Sequence, residues 1–419
     1  MIMKILISAY ACEPSQGSEP GVGWNFAQEM SKYHQVWVLT SNCHRSAIEA
    51  ELARKPPSNL NFIYLDPFGL MIDWSQKGKS TQKWVYLHYY LWQITAYFVS
   101  SRLHQEICFD IVHHVTYVKY NSPSFLCLLP IPFIWGPVGG GELTPKNFWS
   151  SLNFRSQIYE LLRNIACLIG ECDPFLHLTA RRSILSLATT EDTAKKLRYL
   201  GAKNVQVYSQ LGISQEELVN YPQISPSHKS TIRFISVGRL LHWKGFHLGL
   251  LAFAKANISN SEYWVVGEGS ERKNLEKLTQ ELGIEKQVKF WGSLSRDQTL
   301  SKIKDSHILV HPSLHDSGGL VCLEAMSLGL PVICLNLGGP ALQITEATGF
   351  KITANTPEQA VKDITQAMMR LVADAKLRSK MGEAGQRRVR EVFSWEFKGL
   401  FFAQSYKQIC VQEKLANFS

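Results

Sequence analysis

HPSLHDSGGLVCLEAM, residues 311–326, is the stretch that decides the expected fold of this chain. An apolar strand is predicted to enter it, and a helix is predicted to begin near Leu320 after a loop with two glycines. The amide groups at the start of a helix have no partner within the helix and favour an anion such as phosphate. Glu324, about one turn inside the helix, can accept hydrogen bonds from ribose hydroxyls, and Asp316 would lie near a sugar joined to the phosphate. The stretch therefore predicts a site for a phosphorylated ligand that carries a ribose.

Two cations follow another predicted strand. The segment VGRLLHWKG, residues 237–245, contains Arg239 and Lys244. Two cations at the mouth of a cleft, one of them with a forked guanidinium, suit a diphosphate. Taken alone, the segment leaves the alternative open that both are solvated surface charges.

A glycine-rich segment also follows the first predicted strand. GSEPGVGW, residues 17–24, is interpreted as a loop before a helix that begins at Trp24. Glycines such as Gly21 and Gly23 would let the backbone approach a ligand closely, and the helix start would favour an anionic group. A plain strand-to-helix turn is the alternative.

Apolar runs of strand length alternate with helix-like stretches along the whole chain. This alternation predicts an α/β protein with parallel, doubly wound sheets. A polar stretch with two prolines predicts a join near residues 212–230, so the predicted domains are residues 1–220 and 221–390. Such sheets bind ligands outside the carboxyl ends of their strands, and the two domains are expected to face a central cleft.

The composition indicates a globular protein with an anionic partner. The chain has 419 residues, of which 45% are hydrophobic, and a formal net charge of +9. A phosphorylated ligand, an acidic membrane or nucleic acid would each fit this charge. Nucleic acid is not expected, because the basic residues are dispersed and carry no nucleic-acid-binding signature. The nine cysteines form no CxxC pair and are interpreted as reduced thiols, which favours a cytoplasmic location.

One segment has two interpretations. WVYLHYYLWQITAYFVSS, residues 84–101, is too polar for a convincing transmembrane helix. With Lys77, Lys79 and Lys83 before it, it can be an interfacial helix that rests on the cytoplasmic face of an anionic membrane. It can also be a buried or acceptor-side helix of the first domain.

The chain resembles the retaining glycosyltransferases of family 4, which have the GT-B fold. Asp316 and Glu324 have the spacing of that family's Glu-x7-Glu motif. The resemblance extends over nearly the whole chain, through residues 17–23, 237–245, 265–271, 288–295, 311–326 and 330–333. It implies two Rossmann-like domains and a C-terminal helix, residues 391–419, that crosses back to the first domain. It also implies transfer of a sugar, with retention, from a UDP- or GDP-linked donor to a hydroxyl of a glycan, a lipid-linked saccharide or a small molecule.

The resemblance also implies roles for single residues. Arg239 and Lys244 would bind the donor diphosphate and stabilise the charge of the departing nucleotide. Glu324 would bind the ribose, and Gly21 or Gly23 would bring the first domain against the donor. The phosphate site would be completed by the loop and the helix start, at Gly318, Gly319, Leu320 and Val321.

The sequence departs from the family pattern at two positions. Asp316 replaces the usual Glu, and Gly318 stands where an aromatic residue is often found. The family often has a histidine near the transferred sugar, for which His114 is favoured over His113. A histidine satisfied within the end of its strand is the alternative. The segment WGPVGGGE, residues 135–142, would line the acceptor side or form a structural turn.

No Asp-x-Asp motif and no metal-ligand spacing occur in the sequence. The diphosphate charge would then be held by Arg239, Lys244 and the helix start, and no metal or other cofactor is expected. Two other functions stay open. One is a nucleotide-sugar epimerase or hydrolase on the same fold. The other is a non-catalytic scaffold that binds a nucleotide sugar or a membrane, which the departure at Asp316 favours somewhat.

Overall fold

The computed structural model describes residues 2–67, 79–220 and 231–416. The chain forms two compact units, and neither is continuous in sequence. The first unit consists of Met1–Gly141, Ile165–Leu211 and Trp395–Ser419, and the second consists of Glu142–Asn164 and Gly212–Ser394.

Each unit is built on one parallel sheet. The first sheet contains β1 (Lys4–Ala9), β2 (Gln35–Ser41), β3 (Leu60–Leu65), β4 (Ile111–Thr116), β5 (Phe133–Val138), β6 (Ser183–Ala188) and β7 (Val205–Val207), in the order β3-β2-β1-β4-β5-β6-β7. The second contains β8 (Ile232–Val237), β9 (Ser261–Val266), β10 (Val288–Gly292), β11 (Ile308–His311), β12 (Val332–Leu335) and β13 (Gly349–Ile352), in the order β10-β9-β8-β11-β12-β13. In both sheets the order reverses at the first strand, as in a doubly wound fold.

Helices connect these strands. They are α1 (Ser18–Ser31), α2 (Arg45–Arg54), α3 (Lys79–Ile107), α4 (Phe154–Glu171), α5 (Pro174–Arg182), α6 (Glu191–Leu200), α7 (Gln215–Asn220), α8 (Phe246–Ala256), α9 (Arg272–Glu281), α10 (Arg296–Lys304), α11 (Leu320–Ser327), α12 (Gly338–Gln343), α13 (Pro357–Ala373), α14 (Ala375–Val392) and α15 (Trp395–Ala416). The predicted α/β class with two Rossmann-like sheets is confirmed.

The central strands are buried on both faces because helices cover both sides of a parallel sheet, and most of their residues are apolar. Every residue of β4, β5 and β11 is buried. The core of the second unit gathers around Phe234, Phe253 and Tyr263, whose rings lie 5.4–6.4 Å apart. These continuous apolar runs explain why the strands are visible in the sequence.

The segment 142–164 corrects the predicted domain boundary, which had placed all of residues 1–220 in the first domain. Phe148 is fully buried and lies in the hydrophobic core of the second unit. Asn147 Nδ2 donates to the carbonyl of Asn355 at 2.9 Å. The second unit also begins again at Gly212, earlier than predicted, and residues 221–230 of the predicted join lie outside the described residues.

The last helix belongs to the first unit, as the resemblance implied. It begins at Trp395, four residues after the predicted position, and contacts α1. Tyr406 is fully buried and its hydroxyl lies 2.6 Å from His113 Nδ1. The pairing anchors α15 to β4, the central strand of that sheet.

The aromatic segment 84–101 lies in α3, and one face of this helix is buried in the core of the first unit. Tyr89, Trp92 and Ala96 belong to that core, and Trp92 Nε1 donates to the carbonyl of Leu65 at 3.1 Å. The segment therefore matches the interpretation as a buried helix. Lys77 lies outside the described residues. Within the described ranges, none of the helices is long and apolar enough to cross a bilayer.

Candidate functional site

The predicted donor residues of the second unit lie where β8 and β11 end. These strands are neighbours in the sheet and run parallel, so both carboxyl ends lie at the same edge. Lys244 follows β8, and Asp316 follows β11. The Lys244 ammonium donates a hydrogen bond to Asp316 Oδ2, with Nζ 2.5 Å from that oxygen. His311 Nε2 lies 3.2 Å from the same oxygen. The structure thus brings two residues together that are 72 positions apart in the chain.

Asp316 is ionised in this environment. Burial by itself would raise the pKa of its carboxyl, but the nearby Lys244 ammonium and the hydrogen bond from His311 hold the pKa well below its usual range. The other carboxylate oxygen accepts a hydrogen bond from the amide of Gly318 at 3.2 Å. The Asp316 side chain is therefore fixed between the cation and the glycine loop.

The glycine loop leads directly into α11. Gly319 has a φ of +77°, and a Cβ built on it would lie 2.8 Å from Cγ of Pro340, so both the backbone conformation and the space require glycine. Gly319 has no side chain to cap the helix, and the amides of Leu320 and Val321 stand in its first turn. Such first-turn amides lack partners within the helix and can bind a phosphate oxygen.

Arg239 lies two residues after the end of β8 and is exposed. Within the described ranges, no hydrogen bond or ion pair engages its guanidinium. The guanidinium therefore differs from the Lys244 ammonium, which is already paired. It is available for an anionic ligand.

Glu324, the predicted ribose ligand, is buried and paired. Nη2 of Arg296 lies 3.0 Å from Glu324 Oε1, and the same nitrogen lies 2.6 Å from Glu217. Burial raises the pKa of Glu324, and the Arg296 charge opposes this rise. A ribose hydroxyl that binds Glu324 would thus meet a carboxylate that Arg296 already orients.

Two carboxylates of the segment 142–164 also reach the loops of this site. The Glu142 carboxylate accepts a hydrogen bond from Ser317 Oγ at 2.5 Å, next to Asp316. Arg163 donates to the backbone carbonyl of Glu142 at 2.7 Å. Glu160, which is fully buried, lies 2.8 Å from His242 Nε2 and 3.4 Å from His315 Nε2.

The two candidate histidines of the first unit are both buried. His113 Nε2 donates to the carbonyl of Gly136 at 2.6 Å, so its Nδ1 accepts from Tyr406. His114 Nε2 lies 3.0 Å from the Tyr89 hydroxyl and 3.3 Å from Gln93 Nε2. Burial, followed by the charge of the other imidazole, lowers the pKa of His114 to about 3, so it is neutral at pH 7. Both nitrogens of His113 are thus paired inside the first unit, whereas Nδ1 of His114 is buried without a hydrogen-bond partner among the described residues.

The interpretation of residues 17–24 as a loop is wrong. The helix α1 begins at Ser18, so Gly21 and Gly23 are helical. A Cβ on Gly21 would lie 2.1 Å from the carbonyl oxygen of Gln16, and one on Gly23 would lie 2.3 Å from that of Ala11. These glycines permit close packing of α1 against the preceding segment. Pro20 is compatible with this helix because it lies in the first turn.

Among the described residues, no cluster of three His, Cys, Asp or Glu side chains could hold a metal ion. The cations near the glycine loop are side chains of the protein itself. Metal-independent activity stays a prediction.

Residues 220–388 match the family model described as glycosyl transferases group 1. This range contains all the predicted site residues of the second unit, from Arg239 to Glu324. Residues 220–388 therefore resemble a group 1 glycosyltransferase domain.

Curated proteins named as glycosyltransferases also match part of this chain. An uncharacterized glycosyltransferase of Methanocaldococcus jannaschii is 26% identical over 218 residues, which cover 52% of this chain and 54% of that protein. The lipopolysaccharide core biosynthesis glycosyltransferase LpsE of Rhizobium meliloti is 32% identical over 163 residues, 39% of this chain and 46% of that protein. The chain thus spans about half the length of the curated relatives it matches.

Solved structures match the fold over almost the whole chain. The Anabaena protein HepE in complex with UDP has a TM-score of 0.62 and 15% identity, and the match covers 97% of this chain and 100% of that one. A structure of the same protein with UDP-glucose has a TM-score of 0.58. At this identity the likeness shows the fold alone, which is GT-B.

Sequence reasoning missed Glu142, Glu160 and Arg296, which contact the loops or the acidic residue of the glycosyltransferase domain. Arg296 follows Ser295, which caps α10 through a capping box, so the start of that helix is visible in the sequence. The pairing of Arg296 with Glu324 across 28 positions is not visible there.

Proposed function

We propose that this chain is a glycosyltransferase that moves a sugar from a nucleotide diphosphate-sugar to a hydroxyl acceptor. The observation that supports it most is the meeting of Lys244 and Asp316 at 2.5 Å beside the start of α11, inside a group 1 glycosyltransferase domain. Arg239 and the first-turn amides of α11 would hold the diphosphate, and Glu324 would bind the ribose. The positive groups would stabilise the charge that develops on the departing nucleotide.

The donor is proposed to carry UDP or GDP, and UDP is the first to test, because HepE was solved with UDP and UDP-glucose. A thermal-shift series with UDP, UDP-glucose, GDP and GDP-mannose would identify the base. A true donor raises the melting temperature by mass action. If none of the four raises it, the proposal fails at its first step.

The acceptor is proposed to be a lipid-linked saccharide or glycan, because LpsE acts in lipopolysaccharide core biosynthesis. Transfer with retention is proposed from the family resemblance, and NMR of the product anomer in the first minutes of reaction would test it. Product formed without any acceptor would identify a hydrolase or epimerase instead. Donor binding without turnover over a broad acceptor panel would identify a scaffold.

Two variants test the site. Arg239→Ala and Glu324→Ala are expected to reduce transfer about 100-fold or more, as for loss of a preorganised charged contact. Lys277→Ala is the control, because Lys277 is 76% exposed and pairs with Glu281 along α9. Full activity in both site variants would remove the assignment. Activity in excess EDTA tests the proposed metal independence, and a loss restored by Mg²⁺ or Mn²⁺ would overturn it.

Peripheral association with an anionic membrane is also proposed. It is supported by large apolar side chains that α4 exposes, among them Phe154 at 75%, Leu162 at 60% and Ile169 at 69%. Such a face can lie in the interface of a bilayer. Vesicles of phosphatidylcholine that contain phosphatidylglycerol should float the protein better than vesicles of phosphatidylcholine alone, and Ile169→Glu should weaken this. Tyr199→Glu is the control, since Tyr199 is 72% exposed on α6. Failure to float with either vesicle removes the membrane proposal.

A further inference from the structure

The carboxylate of Glu160 joins the two loops of the candidate donor site. Glu160 lies on α4 and is fully buried. Its Oε1 is 2.8 Å from Nε2 of His242, two residues before Lys244, and 3.4 Å from Nε2 of His315, one residue before Asp316. One oxygen atom of Glu160 thus contacts a histidine in the Lys244 loop and a histidine in the Asp316 loop.

An aromatic stack reinforces this junction. The Trp243 ring lies parallel to the His315 ring, with centroids 5.4 Å apart and an angle of 14°. The Tyr159 ring of α4 also lies parallel to the Trp243 ring, with centroids 5.2 Å apart and an angle of 13°. The His242 ring meets Trp243 edge-on at 4.7 Å. The two loops and α4 are therefore packed through rings as well as through hydrogen bonds.

The charges at this junction are consistent with hydrogen bonds to an ionised carboxylate. Burial alone would raise the pKa of Glu160, but the hydrogen bonds from His242 and His315 hold it well below its usual range. Burial lowers the pKa of His315, and the Glu160 carboxylate opposes this. Arg163 lies 3.8 Å from the second oxygen of Glu160, and Glu142 also acts electrostatically on His315. A buried carboxylate with two imidazole donors holds their rings in fixed orientations.

We propose that Glu160 is a positioning residue of the donor site, which sets the spacing of Lys244 and Asp316 by holding His242 and His315. This inference rests on the proposed function, since it assumes that the Lys244 loop binds the diphosphate. Glu160 acts through the two histidines and is not placed against the donor. Its loss should therefore affect binding of the outer phosphate more than binding of the nucleoside.

The test compares the affinities of the full chain for UDP and UMP by calorimetry. Glu160→Gln keeps the size of the side chain but removes the charge that attracts both imidazole donors. We expect the dissociation constant for UDP to rise about tenfold, as when one charged hydrogen bond is lost. The constant for UMP should rise less than about twofold. A merely structural role would weaken both ligands to the same extent.

The matched control is Glu171→Gln. Glu171 is another buried glutamate of α4, but it accepts from Tyr120 at 2.9 Å and from Lys196 at 2.7 Å, within the first unit. This variant should lower the melting temperature and leave the ratio of UDP to UMP affinity unchanged. A second variant of the junction, His315→Phe, retains a ring for Trp243 and removes the Nε2 atom that contacts Glu160. It should lower the same ratio, including in the case that Glu160→Gln does not fold.

The outcomes separate the two proposals. If the wild-type chain binds neither UDP nor GDP, the proposed function fails, and this inference with it. If the wild type binds GDP instead, the same comparison is made with GDP and GMP. If the wild type binds the diphosphate and the junction variants bind diphosphate and monophosphate with unchanged ratio, the positioning role of Glu160 is overturned while the proposed function stands.

Discussion

The Lys244 ammonium lies 2.5 Å from the Asp316 carboxylate, so the cation expected to hold a donor diphosphate already has an anionic partner. A bound diphosphate must therefore share the Lys244 ammonium with Asp316, or displace Asp316 from it. Asp316 would serve as a counter-charge that keeps Lys244 in place before the donor arrives. The negative charge of Asp316 also repels a phosphate, so the affinity for the diphosphate would be lower than with Lys244 alone.

Removal of this counter-charge should separate binding from catalysis. Asp316→Asn is expected to tighten UDP binding about three- to tenfold, because one anion next to the diphosphate is lost. Sugar transfer should fall, since Asp316 is predicted to lie near the transferred sugar. Calorimetry and a transfer assay measure the two effects, with the exposed Asp297→Asn as control. Weaker UDP binding in Asp316→Asn would show that Asp316 orients Lys244 more than it repels the ligand.

The pairing of Arg296 with Glu324 should be a coupled unit. Arg296→Ala leaves Glu324 buried without its cation, and the expected loss in free energy of unfolding is about 1–3 kcal/mol. Together with Glu324→Gln and the double variant, urea unfolding should give a coupling energy of about 1–3 kcal/mol. Loss of the cation raises the pKa of Glu324 further, so Arg296→Ala should regain part of its stability as the pH falls from about 7 to 5. Additive effects of the two substitutions would contradict this.

Substitution of Gly319 and of Gly283 by alanine separates two losses of stability, one from the backbone conformation and one from the packing of the added methyl group. Gly283 has a φ of +66° and nothing within 4 Å of an added Cβ, whereas a Cβ on Gly319 meets Pro340. Gly283→Ala should cost about 1 kcal/mol from the left-handed backbone alone. Gly319→Ala should cost about 1–3 kcal/mol more from overpacking, and it should weaken UDP binding at the start of α11. Equal losses in chemical denaturation would mean that the loop relaxes around the methyl.

Lys398 should make the stability of the first unit depend on pH. It is buried, its ammonium donates to the carbonyl of Ser209 at 2.5 Å, and it lies 4.2 Å from the Tyr208 ring centroid. Burial lowers the pKa of Lys398 to about 7, below the value of about 10.4 for the unfolded chain. The unfolded state then binds more protons between these values, so stability rises with pH in that range.

The corresponding measurement is urea unfolding at pH 7 and pH 9. The wild type should gain about 2 kcal/mol from this group over the interval. Lys398→Met should lack that gain, so the difference between variant and wild type should change with pH. Parallel pH profiles for the two proteins would show that Lys398 is not neutralised by burial.

Much of the fold was visible in the sequence, because its signals are local. The helix predicted to begin near Leu320 is α11, which begins at that residue. In α13, Thr356 caps the helix through the amide of Gln359 and Pro357 occupies its first position, which are both sequence-level start signals. Buried strands in parallel sheets give continuous apolar runs, and these define strand positions well.

The errors came from residues whose role depends on distant neighbours. The prediction of a loop at residues 17–24 is wrong because the glycines and the proline of that segment favour a turn when their packing partners are unknown. The placement of residues 142–164 depends on Phe148 and Leu152, which enter the core of the second unit. The contact of Glu160 with His242 joins positions 82 apart, which no local pattern specifies.

The part of the site that lies at strand ends could be predicted from the sequence, and the part that depends on distant packing could not. Lys244, Asp316 and the glycine loop follow the ends of adjacent strands, and strand order in a doubly wound sheet brings such residues together. Glu142 and Arg296 each engage the site from another element, and only side-chain packing places them there. The predicted roles of these residues in donor binding stay predictions until the ligand experiments above are done.

Because residues 142–164 belong to the second unit, the gene cannot be cut at one point into two fragments that each encode a complete unit. The backbone passes between the units at four points, after Gly141, Asn164, Leu211 and Ser394. A gene fragment that starts at residue 212 would encode a sheet without Phe148 in its core and without the carboxylate that its two loop histidines share. We expect such a half to be insoluble by itself, and co-expression with a peptide of residues 142–164 to restore it.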